Sequence, residues 1–335
     1  MLRMDPFLTE TPTSVDEAVA LLAAHQAAGR STKVIAGGTD VVPNLKHGLF
    51  DPEVIVHIGR VPGLKGVVDD GGHLLIGALT TLHDLSVHPL VQQHASGLAR
   101  AASLVAGPQL RRMGTLGGNL ALDTRCLFYN QTYFWREALG FCLKKDGSLC
   151  HVVAGGKKCV AAASNDTATM LLCLDAEVVL QAPTGRRTMK LEDFYVANGI
   201  KNTVLEAVDL LVQVRVPKAA SRRFEGYAKL RHRNAIDYPL LSVGLRVDVD
   251  GGVVSAMRCV VSALQARPHK LPCDAWIGRA FEHRQERQDV VDGLKQLAFA
   301  KCVPVKNLAD DVVWRREMVR VLVQRAFDEA IGEAS

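Results

Sequence analysis

Short runs of hydrophobic residues alternate with polar residues along this chain, and their periods predict small helices and strands in turn. Residues 14–29 begin with a Ser-x-x-Glu capping box, continue with apolar residues and end at a glycine, which predicts a helix. The runs 33–36, 53–58 and 73–76 are short and apolar, as buried strands are. This alternation favours an α/β arrangement for residues 1–217.

The pattern changes after residue 217. Two longer alternating runs, 240–249 and 252–263, flank an Asp-Gly-Gly turn and predict a β-hairpin. A long helix is predicted over about 310–331. We therefore predict a separate C-terminal domain, with a small antiparallel sheet followed by helices, and a linker at 218–223.

Length and composition narrow the class of protein. A chain of 335 residues is too long for one ordinary core, so two or three domains are expected. A hydrophobic fraction of 48% and a net charge of +5 are typical of a soluble globular protein and give no argument for a nucleic-acid partner. Because no apolar run reaches about 18 residues and the N-terminus is unlike a secretory signal, we expect no membrane span and a cytoplasmic protein with reduced thiols.

Two Gly-Gly loops are candidates for phosphate binding. Ala36-Gly37-Gly38-Thr39-Asp40 follows a predicted strand, and Gly114-Thr115-Leu116-Gly117-Gly118-Asn119 comes later in the chain. Glycine lets the backbone approach a ligand closely, and free N–H groups suit a phosphate. The two loops are therefore either the phosphate sites of a dinucleotide or two structural turns. The G-x-G-x-x-G and Walker motifs are absent from the sequence, which removes the usual support for a nicotinamide or nucleotide-hydrolysing site.

Four of the eight cysteines crowd into one segment that is also rich in aromatic residues: Cys126, Cys142, Cys150 and Cys159. Four thiolates can hold zinc or a [4Fe–4S] cluster, and an aromatic shell would keep water away from either. No C-x-x-C pair is present, so buried structural cysteines remain an alternative. We interpret His151 as a surface residue. The other four cysteines are interpreted as structural: Cys173, Cys259, Cys273 and Cys302.

Lys229 lies on a predicted strand, a few residues before Asp237. A lysine that faces a cleft can stabilise the negative charge of a reduced flavin. The alternative is an ordinary exposed lysine on a strand.

Several of these segments together resemble one known family. The two Gly-Gly loops, the run Leu75-Ile76-Gly77-Ala78-Leu79-Thr80 and the strand from Lys229 towards Asp237 are similar to the FAD-binding medium subunit of xanthine dehydrogenase and carbon monoxide dehydrogenase type molybdenum hydroxylases. The resemblance implies an α+β, vanillyl-alcohol-oxidase-like (PCMH-type) FAD fold. Two α/β lobes would span 1–60 and 61–217, and a C-terminal sheet-and-helix domain would span 218–335.

The cysteine-rich segment, about 123–160, has a more specific resemblance. With its opening Asp123-Thr124-Arg125-Cys126, it looks like the extra loop of the 4-hydroxybenzoyl-CoA reductase β subunit. That resemblance implies a [4Fe–4S] cluster held by Cys126, Cys142, Cys150 and Cys159.

The family resemblance also implies a set of FAD contacts in this chain. They are Val34, Ile35, Ala36, Gly37, Gly38, Thr39, Asp40 and Val41 in the first loop, Thr115, Leu116, Gly117, Gly118 and Asn119 in the second, and Asp123, Asp166 and Lys229 elsewhere. The stretch around Asp166 departs from the family pattern at Asn165 and Thr169. No catalytic acid or base is expected, because the substrate would be bound by another subunit.

The function implied is electron transfer within a hetero-oligomer. Reduced ferredoxin would donate to the [4Fe–4S] cluster, and electrons would pass through FAD to [2Fe–2S] centres of a small subunit and molybdopterin of a large subunit. The complex, a dimer of heterotrimers, would remove the phenolic hydroxyl of 4-hydroxybenzoyl-CoA. Two alternatives stay open: a related molybdenum enzyme acting on another aromatic or heterocyclic substrate, and a non-redox assembly protein with a structural zinc site.

Overall fold

The computed structural model describes residues 4–332, which form three sheets with helices packed on them. The strands are β1 (Leu8–Glu10), β2 (Thr32–Ile35), β3 (Val54–His57), β4 (Val67–Asp69), β5 (His73–Gly77), β6 (Glu177–Ala182), β7 (Gly185–Lys190), β8 (Leu210–Pro217), β9 (Arg222–Leu230), β10 (Leu241–Asp250), β11 (Val253–Ser262) and β12 (His269–Lys270). The α-helices are α1 (Val15–Ala27), α2 (Val41–Lys46), α3 (Leu82–Val87), α4 (Pro89–His94), α5 (Ser96–Ser103), α6 (Pro108–Arg111), α7 (Leu116–Leu120), α8 (Tyr133–Ala138), α9 (Asp166–Cys173), α10 (Leu191–Phe194), α11 (Arg284–Lys301) and α12 (Val312–Ile331).

The N-terminal sheet has the order β1-β3-β2 and is parallel. Helix α1 packs against it and begins where the sequence predicts, because Ser14 Oγ accepts a hydrogen bond from the Glu17 N–H at 3.1 Å. The Glu17 carboxylate accepts from Thr13 instead of completing the capping box with Ser14. Gly29, at φ 71°, follows the helix.

The second sheet has the order β4-β5-β8-β6-β7, and all its neighbouring strands are antiparallel. Its inner face packs against α3, α5, α7 and α9 in one continuous core. The side chains of β8, in the middle of the sheet, are mostly buried. Those of the edge strand β7 are mostly exposed and polar.

The third sheet, β12-β11-β10-β9, is antiparallel and carries α11 and α12 on one face. The predicted hairpin between β10 and β11 turns at Gly251 and Gly252, both at positive φ. The proposed linker is shorter than predicted, because β9 already begins at Arg222. This sheet-and-helix arrangement, together with the two preceding sheets, confirms the predicted α+β, PCMH-type fold.

The cysteine-rich segment leaves the second lobe and returns to it at one place. Arg125 and Ala162 form an antiparallel bridge, with N–H to carbonyl distances of 2.8 and 2.7 Å. Asn307 closes the same base from the C-terminal region: its carbonyl accepts from the Leu127 N–H at 2.9 Å, and its side chain donates to the Val160 carbonyl at 2.7 Å. Both ends of the segment are therefore fixed to the body of the protein.

No helix in the described part of the chain is both long and apolar enough to cross a membrane.

Glu225 on β9 makes the stability of this fold dependent on pH. Burial raises the pKa of its carboxyl from an ordinary 4.5 to about 7, although the Gly97 N–H donates to it at 2.8 Å. A folded-state pKa above the unfolded value means that the stabilisation is complete below about 4.5 and is lost as pH rises through about 7.

We therefore expect Glu225→Gln to gain stability relative to the wild type between pH 5 and pH 8, by up to about 3 kcal/mol. Urea unfolding of both proteins at the two pH values measures this difference. A gap between variant and wild type that is the same at both pH values would contradict the role of Glu225.

Candidate functional site

A cavity of about 830 Å³ lies where the two Gly-Gly loops meet. It is lined by the first loop, by the second loop, by the start of the cysteine-rich segment and by residues 236–238 beyond β9. Its volume is within the range of about 300–1,000 Å³ that is usual for sites of small molecules and cofactors.

The two loops touch through their backbones. A Cβ placed on Gly37 would lie 1.7 Å from the Met113 carbonyl oxygen, so only glycine allows this approach. Gly117 is also confined, though less severely, because a Cβ there would lie 2.9 Å from Ala78 Cβ. The sequence predicts that the two loops either serve one dinucleotide or are two structural turns, and in the structure both line the same cavity.

The loops differ in what they offer to a ligand. Within the described residues, no hydrogen bond is recorded from the backbone N–H groups of residues 37–41. In the second loop, the N–H groups of Leu116 and Gly117 donate to the carbonyls of Thr80 and Ala78, at 2.9 and 2.8 Å. The first loop is therefore the better anion site, and the second mainly shapes the cavity.

The charged residues that line the cavity are of both signs, with five basic and six acidic side chains: Lys33, Arg125, Lys144, Lys145 and Lys201, and Asp40, Asp123, Asp166, Glu206, Asp209 and Asp237. Lys33 stands 4.0 Å from the centre of the Phe50 ring, and burial lowers the pKa of its ammonium. The predicted FAD contacts begin at Val34 and omit Lys33. A lysine just before the apolar residues that lead into the Gly-Gly loop could have indicated a contact with a phosphate.

Asp40 is the centre of a network that joins three distant parts of the chain. Tyr238 Oη donates to Asp40 Oδ1 at 3.0 Å, and Arg125 Nη1 lies 3.3 Å from the same oxygen. The Arg125 guanidinium also stacks on the Tyr238 ring at 3.8 Å. Burial raises the pKa of the Asp40 carboxyl, while Arg125 opposes this rise. Neither Tyr238 nor Arg125 is predicted as a site residue from the sequence.

Asp166 and Lys229, predicted separately, form one buried ion pair. Lys229 Nζ lies 2.9 Å from Asp166 Oδ1, and the Tyr227 hydroxyl donates to the same oxygen at 2.6 Å. Lys229 also donates to the Leu104 carbonyl at 3.1 Å, next to residues that line the cavity. The Asp166 carboxylate thus neutralises the charge of Lys229 behind the residues that line the cavity, whereas the sequence predicts a lysine that faces a cleft.

Most of the predicted contacts line the cavity: Val34, Ala36, Gly37, Gly38, Thr39, Asp40, Val41, Thr115, Gly117, Gly118, Asn119, Asp123 and Asp166. Ile35, Leu116 and Lys229 are not among the lining residues. Asn119 lies at the wall, but its side-chain oxygen accepts from the Thr167 N–H and hydroxyl, so it also holds α7 to α9.

The features of this cavity suit FAD. Its volume and the N–H groups of the first loop match a long ligand with a pyrophosphate. The side-chain nitrogen of Asn202, which lines the cavity, is buried without a hydrogen-bond partner and can donate to such a ligand. A ligand of this kind would satisfy a donor that is otherwise costly to bury.

Two of the four clustered cysteines, Cys126 and Cys159, pack in one buried cluster at the base of their segment. Burial raises the pKa of the Cys126 thiol to about 11, and the other three thiols add to this rise. Three of them are buried and Cys150 is partly exposed. In residues 4–332, no group of three or more His, Cys, Asp or Glu side chains is arranged to hold a metal ion.

His151 does more than the surface role predicted for it. Its Nε2 lies 2.6 Å from the carbonyl oxygen of Phe141, the residue before Cys142, and its ring packs on Phe128. It therefore joins the two loops that carry Cys142 and Cys150.

Comparisons with known proteins agree with this geometry. Residues 5–219 match the family model described as the FAD binding domain in molybdopterin dehydrogenase. The chain is 29% identical over 326 residues to the carbon monoxide dehydrogenase medium chain of Hydrogenophaga pseudoflava, covering 97% of this chain and 96% of the relative. It is 33% identical over 243 residues to the aldehyde oxidoreductase FAD-binding subunit PaoB of Escherichia coli, covering 70% and 76% of the two chains.

Solved structures give the same picture. A chain of carbon monoxide dehydrogenase from Hydrogenophaga pseudoflava superposes with a TM-score of 0.77 at 27% identity, covering 99% of this chain and 100% of the other. A chain of quinoline 2-oxidoreductase from Pseudomonas putida 86 gives 0.75 at 22% identity, with coverage of 99% and 100%, which bears on the fold alone.

Proposed function

This chain belongs to the family of FAD-binding domains in molybdopterin dehydrogenases, and from that premise we propose that it carries electrons between an external partner and the molybdenum centre of a larger enzyme. It is an FAD-binding oxidoreductase subunit of the molybdenum hydroxylase family. Bound FAD supplies a carrier that accepts electrons singly or in pairs. The protein's own part is to hold that carrier, to exclude water from it and to set the charge around it.

The proposed FAD site is the cavity between the Gly-Gly loops. Residues 37–41 would hold the pyrophosphate, since their N–H groups are available and Lys33 and Arg125 line the same cavity. The second loop and Asn119 would shape the path of the ligand. Asp166 would contact it directly, whereas Lys229 would act by positioning Asp166 and the Leu104 carbonyl.

We further propose that Cys126, Cys142, Cys150 and Cys159 hold a [4Fe–4S] cluster. What supports this is the presence of four thiols in one segment, two of which, Cys126 and Cys159, pack in one buried cluster with Tyr129, a residue of the cavity wall. Four thiolates are the usual ligand set of such a cluster.

The complete enzyme would then be a hetero-oligomer with a large molybdopterin subunit and a small [2Fe–2S] subunit, arranged as a dimer of heterotrimers. Reduced ferredoxin would deliver single low-potential electrons to the cysteine-rich segment, and the reaction would be removal of the phenolic hydroxyl of 4-hydroxybenzoyl-CoA. The cysteine-rich segment contributes Arg125, Tyr129 and Lys144 to the lining of the cavity, and this position supports a one-electron port of this kind.

The second candidate is a related enzyme that runs oxidatively on another aromatic or heterocyclic compound. It is favoured by the similarity to the nicotinate dehydrogenase FAD-subunit of Eubacterium barkeri, at 29% identity over 248 residues, and to the nicotine 6-hydroxylase medium subunit of Paenarthrobacter nicotinovorans, at 25% over 322 residues. The zinc-binding assembly protein has no comparable support, because the FAD-binding family covers residues 5–219.

Anaerobic purification of the chain with its partners tests this proposal. We expect one FAD and four irons per copy of this chain, beyond the iron of the small subunit, and reduction of both groups by reduced ferredoxin. Zinc in place of iron would refute the one-electron port while leaving the flavin assignment intact. Turnover of 4-hydroxybenzoyl-CoA, compared with that of nicotinate, separates the two candidate functions.

A further inference from the structure

Lys144 is a buried lysine within the cysteine-rich segment, two positions after Cys142. Its side chain is only 4% exposed. The ammonium donates to Asp123 Oδ1 at 2.7 Å, to the Gly199 carbonyl at 2.8 Å and to the Thr124 carbonyl at 3.1 Å. It also stands 4.4 Å from the centre of the Tyr129 ring. Such complete hydrogen bonding fixes the position of this charge.

One side of Lys144 faces the cysteines. Gly199, whose carbonyl it binds, donates its N–H to the Cys159 carbonyl at 3.0 Å. A Cβ placed on Gly199 would lie 2.7 Å from Cys159 Sγ, so this glycine lies directly against the sulfur. Only Gly199 therefore separates the ammonium from the Cys159 thiol, and Lys144 follows Cys142 by two positions in the sequence.

The other side of Lys144 belongs to the wall of the FAD cavity, which it lines together with Asp123. The charges of this pair are not equally screened, because Asp123 is 22% exposed and Lys144 is 4% exposed. A buried charge acts more strongly on its surroundings than one in contact with water. Water therefore screens the positive member of the pair less than the negative one.

We propose that Lys144 is the positioning residue that links the two redox sites, and that its fixed positive charge stabilises an electron held at either of them. This inference rests on the proposed function, since it needs both the cluster and the FAD. Each one-electron reduction adds one negative charge at the accepting site and breaks no bond. An ammonium between the sites lowers the free energy of both reduced states and so raises both reduction potentials.

The test is a redox titration of the purified complex with dithionite and mediators, read by the visible spectrum of the flavin and by electron paramagnetic resonance of the cluster. We expect Lys144→Met to shift the reduction equilibrium of both groups at least about tenfold towards the oxidised form, which is about 59 mV for one electron. Lys144→Arg, which keeps the charge, is expected to shift them much less.

Asp123→Asn separates an electrostatic role from a structural one. It breaks the same ion pair but removes the negative partner, so we expect both potentials to rise. A purely structural role of the pair predicts shifts in the same direction for both variants, and that result, or no shift in either, would overturn the inference. If Lys144→Met does not assemble, Lys144→Gln and Asp123→Asn carry the test.

Lys158→Met is the matched control, because Lys158 adjoins Cys159 but is exposed to solvent. The reduction potentials of this variant should stay near those of the wild type. A shift equal to that of Lys144→Met would mean that only the net charge of the protein matters, and not the position of Lys144. A wild-type complex without iron or FAD would refute the proposed function instead, so the two failures are distinguishable.

Discussion

Cys150→Ser is expected to remove iron from this chain almost completely, while FAD stays bound. A [4Fe–4S] cluster needs a thiolate at each of four corners, and serine is a poor substitute for a soft ligand. We expect iron in this chain to fall more than about tenfold, because even indirect support of a metal site is worth 10–100-fold in affinity. Iron analysis and the visible spectrum of the purified complex measure the loss.

Cys150 is the best position for this test because it is the most exposed of the four thiols, so its replacement disturbs packing least. Cys142→Ser should give the same result. Cys302→Ser is the matched control: Cys302 is 1% exposed in the C-terminal core, so its variant should lose stability but keep iron. Full iron content in Cys150→Ser and Cys142→Ser would contradict the ligand assignment.

Gly37→Ala is expected to weaken FAD binding at least about 100-fold, which corresponds to roughly 3 kcal/mol. The added methyl would lie 1.7 Å from the Met113 carbonyl oxygen, and both partners in this overlap are backbone atoms. The two Gly-Gly loops must therefore separate, which changes the wall of the cavity itself. Fluorescence titration of the FAD-free protein measures the affinity.

Gly72→Ala is a suitable control, since the nearest atom to a Cβ there is 3.9 Å away in a turn before β5. It should bind FAD as the wild type does. Wild-type affinity in Gly37→Ala would mean that the loop contact does not shape the FAD site.

The features that could be predicted from the sequence are those that depend on neighbouring residues. The Ser14 cap, the hairpin at Gly251-Gly252 and the first Gly-Gly loop all appear in the structure where their residues indicate. Each depends on neighbours within a few positions, so the pattern alone is sufficient. Strands β1 and β4, with three residues each, are missed because they are too short to show a period.

Much of the candidate site could not be predicted because its parts meet only in the folded chain. The Tyr238 to Asp40 hydrogen bond joins residues 198 positions apart, and Asn307 reaches Val160 across 147 positions. Lys229 shows the opposite problem: its charge is visible in the sequence, but Asp166, which neutralises it, lies 63 positions earlier. Burial and pairing decide what a charge does, and neither is a local property.

The single ladder position at Arg125 and Ala162, where the cysteine-rich segment begins and ends, makes that segment modular. Its two ends already meet across the bridge, so a short turn could connect them without displacing any strand of the three sheets. Closing a loop of roughly 36 residues costs about 3 kcal/mol of chain entropy. An FAD-binding subunit of this fold can therefore gain or lose the entire cysteine-rich segment by one insertion or deletion.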